Sequence, residues 1–134
     1  MATELRGTMR WRLRILLRDA VRLVMRLTPS RPYVVVSGMP TTEGNATEMV
    51  RATARRYAGR VYWLVADVPV AQRLLLADRL AGSGRVHVLA HRSLSAVLRV
   101  VTAEVLMFTH GVFGNPAPVK RKTMVNLWHG GAFK

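Results

Sequence analysis

Residues 31–65 read RPYVVVSGMPTTEGNATEMVRATARRYAGRVYWLV, and this stretch decides the fold. An apolar, β-branched run at 33–36 breaks at Ser37-Gly38-Met39-Pro40, a helix-compatible segment follows at 45–57, and a second apolar run at 61–65 closes the unit. Neither run alternates with polar residues. Successive side chains of a strand point to opposite faces, so a strand apolar at every position needs cover on both, which is the environment of a parallel sheet. The stretch predicts a β-α-β unit.

Working toward the C-terminus, helical patterns at 70–80 and 93–101 alternate with strand-like runs at 86–89, 105–108 and 124–127. Gly82-Ser83-Gly84 and Gly114-Asn115-Pro116 supply turns between them. The order βαβαβαββ gives an α/β class, with a right-handed, Rossmann-like parallel sheet over 31–134. Ligands of such sheets bind beyond the carboxyl ends of the strands, which directs attention to the loops after Val36, Val65, Phe108 and Leu127.

Working toward the N-terminus, residues 9–27 read MRWRLRILLRDAVRLVMRL without Gly or Pro, and Thr28-Pro29 stops the pattern. At 100° per residue from Leu13, the residues Leu16, Leu17, Ala20, Val21, Leu23, Val24 and Leu27 fall between about 280° and 80°. Arg14, Arg18, Arg22 and Arg26 fall between about 100° and 220°. Residues 1–30 thus form a basic amphipathic helix ahead of the sheet domain. Its arginine row, Arg10, Arg14, Arg18, Arg22 and Arg26, together with Trp11 and an apolar face, suits an anionic leaflet, where apolar burial and charge attraction add. The competing reading packs the apolar face on the following domain and leaves the arginines solvated. Nucleic acid is disfavoured, since no interleaved aromatics, RNA-binding sheet motif or helix-turn-helix pattern follows.

Composition agrees with an anionic partner: 21 Lys and Arg against 7 Asp and Glu give a formal charge of +14. With no cysteine, disulfides and thiolate chemistry are excluded. No stretch approaches the roughly 20 apolar residues of a spanning helix, and no charge-free segment with a small-residue cleavage site marks a secretory signal.

No GxGxxG or Walker A spacing occurs, and the four histidines lack a helix-borne metal spacing. His110 follows one apolar run as Thr109-His110-Gly111, and His129 follows another as Trp128-His129-Gly130-Gly131. A histidine at a strand's carboxyl end can act as a general base near neutral pH, and adjacent glycines let backbone approach a phosphate. Either could instead brace its loop through a carbonyl. His87 and His91 are assigned no role. Lys120, Arg121 and Lys122 face a polyanionic acceptor or form a solvated turn, and Asn45 caps the first domain helix or helps its amides receive a phosphate.

The runs Phe108-Thr109-His110-Gly111-Val112-Phe113-Gly114 and Asn126-Leu127-Trp128-His129-Gly130 resemble the CDP-glycerol:poly(glycerophosphate) glycerophosphotransferases of teichoic-acid synthesis. Glu43-Gly44-Asn45-Ala46 and Tyr62-Trp63-Leu64 resemble that family's first domain more loosely. The resemblance implies the N-terminal, acceptor-side half of a GT-B fold, ending before the donor-binding domain, and hence a chain inactive alone. It implies His129 as the catalytic base that activates an acceptor hydroxyl. Substrate contacts are expected at His110, Gly111, Asn45, Trp128, Gly130 and Lys120. It also implies a peripheral place on the cytoplasmic face of the cell membrane and a lipid-linked polyol-phosphate acceptor. CDP-glycerol and any metal would belong with the missing half, so no cofactor is expected here. Two other readings stay open: a GT-B glycosyltransferase using a nucleotide sugar, and a non-catalytic membrane-binding remnant.

Overall fold

The computed structural model describes residues 2–38, 42, 44–109 and 119–127, and the side chains of its first helix from Met9 onward. The elements follow in the order α1 (Ala2–Leu27), β1 (Arg31–Ser37), α2 (Gly44–Arg56), β2 (Arg60–Val65), α3 (Val68–Ala77), β3 (Val86–Ala90), α4 (Leu94–Thr102), β4 (Ala103–Phe108) and β5 (Thr123–Asn126). Every strand and helix expected from the sequence is present, displaced by no more than a few residues at its ends except at the start of α1, which lies at Ala2 rather than Met9. The strands form one sheet in the order β3-β2-β1-β4-β5. All four pairings are parallel, so the domain is an α/β, Rossmann-like unit.

Full burial of the central strands explains their uninterrupted apolar character. Tyr33, Val35, Tyr62 and Leu64 point to one face, where they pack with Ala96 and Val100 of α4, Leu106 of β4 and Met25 of α1. Val34, Val36, Val61, Trp63 and Val65 point to the other, against Ala46, Val50 and Ala54 of α2 and Ala71 and Leu75 of α3. Trp63 is 1% exposed, the largest fully buried side chain. Burying each of the large side chains contributes about 1.5–3 kcal/mol.

Local signals position the helices between strands. Asp67 caps α3 by accepting from the Val70 N–H at 3.0 Å, with Pro69 in the first turn, and Ser93 caps α4 by accepting from the Ala96 N–H at 3.1 Å. Arg51 of α2 pairs with Glu48 and, through Nε at 2.6 Å, with Asp78 after α3, which ties the two helices of one face together.

The first helix meets the domain along one margin of its apolar face, through Val21 and through Met25, which the periodicity did not single out. Met25 is 1% exposed and Val21 is partly buried, both against the α4 side of the core. Leu13, Leu16, Leu17, Leu23, Val24 and Leu27 remain exposed, so the apolar face expected at about 280°–80° is uncovered among the described residues except at its Val21 margin. None of the helices is long and apolar enough to cross a membrane among those residues.

Candidate site at the carboxyl edge of the sheet

The carboxyl ends of β1, β4 and β5 lie side by side. The Thr109 N–H donates to the Ser37 carbonyl at 3.2 Å and the Leu127 N–H to the Phe108 carbonyl at 2.6 Å, so the three chain exits are joined by backbone hydrogen bonds. Crossovers change faces at the β1/β4 boundary, since α2 and α3 cover one side of the sheet and α4 the other. This is the topological switch point, where open parallel sheets form their ligand crevice.

Gly38 fixes how closely the walls of that point approach. A Cβ there would lie 2.6 Å from Ala46 Cβ and 3.0 Å from Thr109 Oγ1. Only the absence of a side chain lets the first turn of α2 and the end of β4 close on β1 together. The turn noted in the sequence at Ser37-Gly38 is thus a close-packing position, which a single sequence does not reveal.

His110 leaves β4 one residue beyond Thr109, and His129 lies two residues beyond Leu127. His110, Gly111, Trp128, His129 and Gly130 fall outside the described residues. The framework that is described brings the roots of both His-Gly segments together, because β4 and β5 are paired neighbours with Phe108 opposite Asn126. Asn45 stands at the same edge, exposed in the first turn of α2. Gly44, with φ of +61°, begins that helix, so Asn45 is its second residue rather than the cap expected for it. Asp67, the carboxylate nearest the end of β2, is occupied as the α3 cap.

The basic triplet does not join this site. Residues 120–122 precede β5 and pack beside Ser30 and Ala103, at the amino edge of the sheet, about one strand length from the carboxyl ends of β4 and β5. Lys120 is exposed there. Lys122 is neither solvated nor aimed at an acceptor: it is 8% exposed, and its Nζ donates to the Ala103 carbonyl at 3.1 Å and to Ser30 Oγ at 3.4 Å. Burial lowers its pKa from the ordinary lysine value of 10.5. A charge run in sequence gave no sign that its third member closes the α1–β1 junction onto β4.

Among the described residues, no three His, Asp or Glu side chains come together as a metal site. Comparison with family models, with curated proteins and with solved structures finds no match to this chain.

Proposed function

We propose that the chain is the acceptor-side half of a GT-B transferase of the CDP-glycerol glycerophosphotransferase type, working at the cytoplasmic face of a membrane. The observation that carries this reading is the adjacency of β4 and β5, which sends both His-Gly segments from one edge of the sheet, beside the switch point closed by Gly38. In the proposed reaction His129 takes the proton of an acceptor hydroxyl while that oxygen attacks the β-phosphorus of CDP-glycerol. A phosphodiester bond forms, the bond to the bridging oxygen breaks, and CMP departs with the electron pair. The acceptor is a lipid-linked polyol phosphate, with His110, Gly111, Asn45, Trp128 and Gly130 as the residues proposed to hold it. Lys120, at the opposite edge, is dropped from the set.

Membrane attachment rests on α1. Its apolar face is left open while Arg10, Trp11, Arg14, Arg18 and Arg26 are exposed beside it, the pairing of surfaces that an anionic leaflet receives. Arg22 is the exception, being half-buried toward the domain.

The test is CDP-glycerol transfer to a lipid-linked acceptor by the chain completed with a donor-binding domain, wild type against His129→Ala at equal folded concentration. A loss of about a hundredfold or more, with acceptor binding retained, is expected for a general base. Unchanged turnover overturns the assignment, and preferential use of a nucleotide sugar over CDP-glycerol would make the protein a glycosyltransferase instead.

A further inference from the structure

The opposite edge of the sheet carries a second feature that the transferase reading does not use. Arg31 opens β1, Arg60 opens β2, and Arg85 immediately precedes β3. Parallel register gathers these starts: Tyr33 lies opposite Arg60, Val61 lies opposite Val86, and the Val61 N–H donates to the Arg85 carbonyl at 2.9 Å. Helix α4 runs back toward the same edge and adds Arg99. The four arginines line one cleft of about 540 Å³, floored by the Ala58-Gly59 turn and Gly84.

Their partners are not carboxylates. Among the described residues, no Asp or Glu lines this cleft or the larger cavity of about 850 Å³ that adjoins it, and the two share Arg60 and Arg99. None of the ion pairs among the described residues involves any of the four. Arg99 is instead held over aromatic faces, its guanidinium carbon 4.5 Å from the Tyr62 ring centroid and 5.6 Å from that of Tyr33. Arg85 has one weak tie, from Nη1 to the Tyr57 carbonyl at 3.4 Å. In the adjoining cavity His87 stacks on Tyr62 at 5.1 Å, and its Nε2 is buried without a partner among the described residues.

Four like charges converging on one cleft repel each other, and no carboxylate among the described residues lines the cleft to offset the repulsion. Guanidinium groups match phosphate oxygens in a bidentate fork, so several of them around one concavity favour a phosphate over a lone carboxylate. We propose that this cleft binds the phosphate group of a phosphate ester, shared among Arg31, Arg60, Arg85 and Arg99. The organic part of the ligand lies along the wall formed by Tyr62, His87 and Leu76. The site is independent of the transferase reading, since it lies at the amino edge and uses none of that reading's residues.

The test is calorimetric titration of the full chain with inorganic pyrophosphate in about 100 mM NaCl, where long-range attraction is screened. Arg60→Gln/Arg85→Gln removes two exposed cleft arginines, while Arg73→Gln/Arg92→Gln removes two exposed arginines that line neither cavity. A melting curve for each confirms folding. Binding by wild type, weakened about tenfold or more in the cleft pair and less than about threefold in the control pair, is expected from loss of charge-assisted bonds. No binding by wild type, or equal weakening in both pairs, overturns the proposal. Phosphatidylglycerol vesicles then identify the source. If the cleft pair also binds them more weakly than the control pair, the ligand is a lipid headgroup. Equal vesicle binding with lost pyrophosphate binding makes it a soluble phosphate ester.

Discussion

Lys122 shows how one residue can carry a charge into the fold at a cost set by pH. Burial lowers its pKa from 10.5, so the folded state releases the proton before the unfolded state does as pH rises. Between the lowered value and 10.5 the unfolded chain holds more protons, and stability therefore increases with pH. Below that window the penalty for a buried ammonium is fully present. The expected outcome is that wild type gains stability relative to Lys122→Met as pH is raised from neutral to about 10.5 in urea titrations. A difference between the two that stays flat with pH would show that the ammonium is not desolvated. The sequence made 120–122 legible as a basic turn and no more, because which of three adjacent basic side chains turns inward depends on Ser30 and the Ala103 carbonyl, both far away in sequence. Gly38 has the same character: its turn was readable, but its approach to Ala46 and Thr109 belongs to the packed structure.

At the scale of elements the sequence was most informative where one constraint dominated. Strands buried on both faces cannot afford polar residues, so β1 and β2 announced themselves. The caps Asp67 and Ser93 stand where the helices begin, but the periodicity alone did not single them out. Helix α1 was less readable. Its periodicity defined an apolar face, but Val21 and Met25, at the border between that face and the arginine row, make the contact with the core. Val21 and Met25 dock the helix edge, which leaves the rest of the face for another surface. Replacing Leu17 and Val24, 55% and 47% exposed, by serine removes apolar area that the fold does not use. The melting temperature should stay within about 2 °C, as expected of exposed positions, while co-sedimentation with phosphatidylglycerol vesicles should fall about tenfold or more, since each buried CH₂ contributes about 0.8 kcal/mol. Equal sedimentation of variant and wild type would mean that the apolar face does not enter the bilayer. A large drop in melting temperature would mean that it packs on the protein.

The whole molecule is governed by its charge imbalance. Only seven carboxylates are available to 21 basic residues, and among the described residues the ion pairs engage Asp19, Glu48 and Asp78 alone. The arginines of α1 and of the amino-edge cleft are therefore answered chiefly by solvent, and a net charge this far from zero destabilises the compact state through self-repulsion. Composition made the excess legible. It could not show that parallel register collects Arg31, Arg60 and Arg85 at one edge while β4 and β5 end at the other. Screening should relieve the repulsion, since the Debye length falls from about 30 Å at 0.01 M salt to about 8 Å at 0.15 M. Raising NaCl over that range should raise the melting temperature by about 3–5 °C, equivalent to about 1 kcal/mol for a domain of this size. Inorganic pyrophosphate at the same ionic strength should raise it further, because a bound anion adds stabilisation that screening alone does not give. A melting temperature that falls with salt would reveal compensating attractions that the ion pairs described do not contain. It would also remove the electrostatic argument for an anionic partner at either edge.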